Sequence, residues 1–368
     1  MHTFSQALQT GRKRANLTWV DNRELILDGH RINLDVYQKH VHQQIRDLHA
    51  FIEEKVLLGF TLESLGISVD FHSLTSLTDF TSVGCSPLLG SIKGNADSDK
   101  LFQAFLGRGD LVSFVDGSLQ WNKDRARLWC ADIHQAVGKT WAVSHVTQGS
   151  PARGTEEEKM LITNSLQSRR HLVVPTNLDT LGLWSNYWKG AKVSGRFKEI
   201  LRVLPRSVSV FLFILIRLVR PIEILFLTKH MVHESKREET IATYESYLWA
   251  SLGLKMPATS MYRAFANFMA APGPDSRRTF EFTFNIRLYR QFATAVQRRH
   301  LRETPKYTQK AAEEHTSTGD RQAGRSEGTS HQNYAPETSN VDMEPGFTAH
   351  YVAYSMAWQK FWGYDDKT

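Results

Sequence analysis

The stretch from Val208 to Leu227, VSVFLFILIRLVRPIEILFL, constrains the fold more than any other part of the chain. It is almost wholly apolar and about as long as a bilayer-spanning helix needs to be. Arg217, Arg220 and Glu223 interrupt it, however, and Pro221 lies among them. Central charges cost about 2.5–3.5 kcal/mol each on membrane-insertion scales. The better reading is a helix from Ser207 to Arg220 that is apolar all round, so buried in a sizeable core, and ended by Pro221. A membrane span is the rival. The chain must then wrap around this helix, and 368 residues allow two compact domains.

Periodicity predicts mostly helix for the remainder. Residues 17 to 32 alternate weakly, as a short extended entry. From Leu34 the apolar positions are Leu34, Tyr37, Val41, Ile45, Leu48, Ile52 and Val56, spaced by threes and fours. That is one face of a long helix, with Asn33 as its N-cap and Gly59 closing it. Residues 61 to 100 are rich in Ser, Gly and Asp and predict loops with short helical turns. Leu101–Leu106, Asp124–His134 and Lys139–Val146 predict further helices, and no strand run is expected before residue 150. After the turn Gly149-Ser150-Pro151 come a short helix, Thr155–Asn164, and strand-like segments His171–Val174 and Gly182–Trp188. Helices follow at Glu239–Leu252, Ser260–Ala270 and Arg287–Arg302. The chain is then polar and linker-like until about Gly346, before a closing helix, Phe347–Trp362, striped with Tyr351, Tyr354, Trp358 and Trp362. The fold class is therefore mainly α. Residues 1–145 form a helical domain, 146–335 an α+β domain with a small β-hairpin sheet, and 336–368 a linker and C-terminal helix.

Composition narrows the function classes. Lys and Arg number 45 against 38 Asp and Glu, a net charge of +7 that suits a polyanionic partner but also fits many proteins that bind none. The two cysteines, Cys85 and Cys130, form no metal-ligand spacing and no disulfide framework, which points to a reducing, intracellular location. Met1–Asn16 is polar, without the apolar region of a secretory signal, and Arg12-Lys13-Arg14 fits a weak nuclear-import signal. Gly138-Lys139-Thr140 imitates the end of a phosphate-binding loop, but Ile133 stands where that motif needs glycine. His40, His42 and His49 share one helix without sharing a face, so they read as solvated side chains rather than metal ligands.

Four segments, taken in order, carry a more specific pattern. Pro151-Ala152-Arg153-Gly154-Thr155-Glu156 is a turn entering a helix, with Met160 four residues beyond the glutamate. Trp184 to Pro205 has the character of a hairpin and its returning arm, and contains Lys189, Lys192 and Lys198. Arg287-Leu288-Tyr289-Arg290-Gln291-Phe292-Ala293-Thr294 places Arg287 and Arg290 three apart, on one helical face. Ala323-Gly324-Arg325-Ser326 is followed by Thr329 and, nine residues after Arg325, by Tyr334. Each alone is ordinary: a capped helix with a surface arginine, a solvated arginine pair, a tyrosine in a linker.

Together these segments resemble the boxes of the phage-integrase type of tyrosine recombinase, most nearly the Crypton-like recombinases of fungal mobile elements. The resemblance implies that Arg153 and Arg290 grip the scissile phosphate and that Lys189 protonates the leaving 5′ oxygen, with Lys192 and Lys198 as fallbacks. It implies further that Tyr334 is the nucleophile. Arg287 and Arg325 stand where the family places histidine or lysine, and histidine, respectively. Glu157 stands where it usually places Ile or Leu. Paired arginines suit this chemistry because guanidinium forks onto phosphate oxygens while staying protonated. No cofactor is implied. The implied partners are double-stranded DNA and a neighbouring subunit reached through the C-terminal helix, and core packing of that helix within its own chain is the other arrangement. An arginine cannot act as a general base near neutral pH. The expectation is thus a slow DNA breaking-and-rejoining enzyme, or an inactive, domesticated DNA-binding protein on the same fold. A structural or interaction protein with incidental basic charge is the reading from another class.

Overall fold

The computed structural model describes residues 16–77, 82–89, 95–175, 177–185, 200–273, 277–301 and 345–364. The chain is mainly helical with small antiparallel sheets. It opens with three short strands, β1 (Leu17–Trp19), β2 (Glu24–Leu27) and β3 (His30–Asn33), paired in that order. Leu25 and Leu27 of β2 point into the core while Ile26 faces out, the alternation of a half-buried strand. Asp28 and Gly29 make the β2–β3 turn with positive φ at both residues, the backbone that an Asp-Gly pair adopts readily.

Helix α1 (Leu34–Phe51) is capped by the Asn33 side chain, which accepts from the backbone of Asp35 and Val36 at 2.9 and 3.1 Å. Leu34, Tyr37, Val41 and Leu48 are buried, as their spacing requires. Two of the three histidines of this helix depart from the solvated reading, and His49 is exposed as expected. His40 is fully buried, with Nε2 donating to the Phe268 carbonyl at 3.0 Å and Nδ1 accepting from Thr279 Oγ1 at 2.8 Å. Burial lowers its pKa, in keeping with a neutral ring that holds one fixed tautomer. His42 donates to the carbonyl of Trp362.

After a wide turn over Ile52–Val56 and the left-handed pair Leu58-Gly59 come α2 (Ala96–Arg108), the hairpin β4 (Val112–Val115) and β5 (Ser118–Trp121), and α3 (Lys123–Thr147). Strands therefore do occur before residue 150. They span only three or four residues each, too few for alternation to stand out, and Asp116-Gly117 turns the second hairpin as Asp28-Gly29 turns the first. Helix α3 is continuous where the periodicity suggests two helices. Its Gly138 permits close packing: a Cβ there would lie 3.3 Å from the Cβ of Ala264. The Gly138-Lys139-Thr140 segment is thus helix interior, with Thr140 buried and the Lys139 ammonium 4.4 Å from the Phe51 ring centroid.

Beyond the very short α4 (Gly154–Glu157), β6 (Leu172–Val173), β7 (Gly182–Ser185) and β8 (Ile200–Val203) form a second three-stranded sheet. β7 and β8 pair antiparallel, Ser185 opposite Ile200 and Gly182 opposite Val203. The short helix stops at Glu157 rather than running to Asn164, because Leu161 pairs with Tyr247 as an isolated bridge.

The apolar run forms α5 (Arg206–Phe213), a wide-turned stretch Ile214–Val219 and α6 (Arg220–His230). It does not end at Arg220. The Arg220 N–H donates five residues back, to Leu215, so the helix enters α6 in a shifted register with Pro221 in its first turn, where a missing N–H does little harm. Each charge in the run has a partner. Arg217 pairs with Asp97 at 2.7 Å, and Arg220 donates to the carbonyls of Tyr244, Tyr247 and Leu248. Glu223 accepts from the Leu252 N–H at 3.1 Å. Such pairing is what permits ions in an apolar interior. Among the described residues no helix is long and apolar enough to cross a membrane.

The remaining elements are α7 (Arg237–Ser246), the two-residue strands β9 (Ala250–Ser251) and β10 (Leu254–Lys255), α8 (Ala258–Ala270), α9 (Ile286–His300) and α10 (Pro345–Trp362). α7 is shorter than its periodicity suggests, because Leu252 and Gly253 turn left-handed and fold the next residues into the β9–β10 hairpin. One contiguous core runs from Leu25 to Tyr364, and a smaller cluster joins Val173, Trp184, Ile200, Leu201 and Val203 to Tyr351. Position 145, a suggested domain boundary, lies inside α3 with His145 fully buried. The aromatic stripe of α10 is likewise spent within the chain. Tyr351, Tyr354, Trp358 and Trp362 are buried, and Trp358 Nε1 donates to the Val146 carbonyl at 3.0 Å. Gln359 donates to Val203 on β8 at 2.8 Å. This face is therefore not exposed for docking on a neighbouring subunit.

Candidate anion-binding site

The end of α3 and the turn after it build the site. Gly149 adopts φ 103°, a left-handed backbone that reverses the chain, and Ser150 then ties three elements together. Its hydroxyl donates to Gln297 Oε1 on α9 at 3.0 Å. Having spent its proton there, it accepts from the Tyr354 hydroxyl of α10 at 3.2 Å. Arg153 follows as the N-cap of α4, in extended backbone, half-exposed at the surface. The ring of Tyr262 on α8 covers the adjoining Gly154, so closely that a Cβ there would displace it.

Glu156 lies beside Arg153. Its Oε2 accepts the Arg153 N–H at 3.4 Å, and the Arg153 guanidinium lies 3.8 Å from Oε1. Burial raises its pKa, and the positive charges of Arg202, Arg153 and Arg290 oppose that rise. Arg290 stands half-buried on α9 and acts on it through its charge. Arg202 comes from β8 and is fully buried, with Nε donating to the Ser150 carbonyl at 2.9 Å and Nη1 to Ser185 Oγ at 3.1 Å. Three guanidinium ions thus act on one carboxylate. The excess positive charge falls at a partly desolvated position, where Coulomb interactions outweigh those at an open surface.

Beneath this cluster lies Glu157, fully buried. Its Oε2 accepts from Trp141 Nε1 at 3.0 Å and from His145 Nδ1 at 2.8 Å, and its Oε1 accepts from Gln148 Nε2 at 2.9 Å. Burial works against its charge, but His145, the Gln148 hydrogen bond and Arg202 outweigh it, so the pKa falls below the ordinary value.

Of the residues singled out by sequence, Arg153 lies 3.8 Å from the Glu156 carboxylate, and Arg290 is close enough for its charge to act on it. Arg287 is exposed in the first turn of α9, one turn before Arg290, with Asn285 capping the helix by accepting from Leu288 N–H at 3.0 Å. Lys189, with Lys192 and Lys198, falls between β7 and β8 and outside the described residues; Arg325 and Tyr334 fall between α9 and α10 and are likewise outside them. Sequence reasoning missed Arg202 and the partners of Glu157. Arg202 sits in an otherwise apolar strand, ILRV, and His145 in an apolar helix end, so each was marked by its contrast with its neighbours.

A separate cavity of about 480 Å³ is lined by Glu54, Lys55, Arg108, Arg125 and Asp132 among others. Its lining carries three basic and two acidic side chains, and Arg108 is already engaged by Asp110. Among the described residues no group of three His, Cys, Asp or Glu is placed to hold a metal ion. The cluster around Glu156 is the arrangement best suited to an anion, since paired arginines can fork onto phosphate oxygens. No protein-family model, curated protein or solved structure matches the chain.

Proposed function

We propose that the chain binds double-stranded DNA and cuts and rejoins one strand through a phosphotyrosine link, as a tyrosine recombinase does. The observation that carries this reading is that Arg153, 3.8 Å from the Glu156 carboxylate, and Arg290, far away in sequence, stand close enough for the charges of both to act on Glu156. The antiparallel pairing of β7 and β8 adds support, because the segment holding Lys189 joins those two strands in sequence. The motif resemblance supplies the roles. Tyr334 Oη attacks phosphorus and the bond to the 5′ oxygen breaks. The phenolic proton passes to solvent, and the Lys189 ammonium gives its proton to the departing oxygen. Arg153 and Arg290 donate to the non-bridging oxygens as charge builds on them. The link conserves the bond for religation. Arg12-Lys13-Arg14 would direct the protein to the nucleus.

A second reading rests on one observation, the arginines at 287 and 325 in place of titratable bases. Losing a general acid–base group typically costs 10²–10⁴-fold in rate. On that reading the protein binds DNA without cutting it. Nicked suicide duplexes of randomised sequence separate the two. Wild type should give a denaturation-resistant protein–DNA species and Tyr334→Phe should not. Salt-sensitive binding by both proteins without any covalent species would select the non-cleaving form.

A further inference from the structure

The buried carboxylate of Glu157 has no counterpart in the resemblance, which places Ile or Leu there. An apolar side chain at that point would fill space and could shift with its surroundings. A carboxylate in the same place has to be satisfied by directed donors, and one helix face provides them. Trp141, His145 and Gln148 line successive turns at the end of α3, and their three hydrogen bonds of 2.8–3.0 Å hold both carboxylate oxygens. Directed bonds fix orientation as well as distance. Glu157 lies one helical turn after Arg153 and donates its N–H to the Arg153 carbonyl at 3.0 Å. Whatever fixes Glu157 therefore fixes the turn that presents Arg153. On the outer side the same turn is closed by the Tyr262 ring against Gly154.

We propose that Glu157 is a positioning residue: anchored to Trp141, His145 and Gln148, it sets the Arg153 turn so that Arg153 and Arg290 converge on one phosphate. The inference rests on the recombinase reading, and the test keeps the two apart. Glu157→Gln preserves volume but loses the charge and one of two acceptor oxygens. Trp141→Phe removes a single donor and leaves the carboxylate intact, so it serves should the first variant not fold. Duplex affinity, and the rate and amplitude of covalent capture on nicked duplexes under single-turnover conditions, are measured for wild type and both variants. The capture rate at saturating protein should fall at least tenfold in Glu157→Gln and severalfold in Trp141→Phe, with affinity within about twofold of wild type. A merely structural role would lower the amplitude, through a smaller folded fraction, and leave the rate alone. Wild-type rates in a folded Glu157→Gln, or in Trp141→Phe where Glu157→Gln does not fold, or a loss confined to amplitude, would overturn the positioning role and spare the recombinase reading. No capture by wild type would overturn both.

Discussion

Tyr262 lies against Gly154 so closely that a Cβ on residue 154 would sit 2.4 Å from Cε1 of its ring. Tyr262 is itself exposed, so its ring has room to swing outward. Gly154→Ala should therefore displace the ring and change stability by no more than about 0.5 kcal/mol, as at other surface positions. Urea denaturation checks this, and a loss above about 2 kcal/mol would mean that the ring is held in place.

Glu223 gives a pH dependence. Burial pushes its carboxyl from the ordinary 4.5 up to about 7, against the hydrogen bonds from Tyr244 and Leu252 and the charge of Arg220. Between those values the folded chain holds a proton that the unfolded chain has released, so stability from this group falls as pH rises and is lost above pH 7. A shift of that size corresponds to about 3 kcal/mol. Glu223→Gln should remove this decline. Denaturation midpoints compared at pH 5 and pH 8 should differ less in the variant than in wild type.

Arg220 satisfies three carbonyls at the end of α7, those of Tyr244, Tyr247 and Leu248. Arg220→Ala should leave buried acceptors without donors and cost about 3–5 kcal/mol. Arg31, whose side chain is 71% exposed, is the control. Arg31→Ala should stay within about 0.5 kcal/mol of wild type in guanidinium unfolding.

Arg287 tests the DNA reading without reference to catalysis. It is exposed on α9, one turn from Arg290. If it meets a backbone phosphate, Arg287→Gln should weaken duplex binding at every sequence and reduce the slope of log affinity against log salt by about 1. An unchanged slope would remove Arg287 from the DNA-contacting face.

Much of the helical frame was legible because its signals are local. Leu34, Tyr37, Val41 and Leu48 mark α1 by spacing, and Asn33 caps it through its own side chain. The run around Leu215 could only be a core or membrane helix, and the partners that permit Arg217 and Arg220 inside it come from α2 and α7, which periodicity does not reveal. The continuity through Pro221 was illegible for a related reason, since it depends on a register shift. The strands at residues 17–33, 172–173 and 182–185 fall in segments read as extended, whereas β4 and β5 escaped because four residues carry almost no period. At the site, the likeness at Arg153 and Arg290 picked out two residues whose charges both act on Glu156. Glu157 stood out only as a departure from an apolar position, and its meaning lies in Trp141, His145 and Gln148, which only the folded chain brings to it.

If Arg153 and Arg290 serve one anion, as proposed, a double-mutant cycle on duplex binding shows it as a coupling between them. Affinity at fixed salt is determined for wild type, Arg153→Gln, Arg290→Gln and the double variant. Residues that share a phosphate are coupled, so the two losses should fail to add by about 1 kcal/mol or more. Losses that add to within about 0.3 kcal/mol would mean that the two arginines act separately, and would contradict the account.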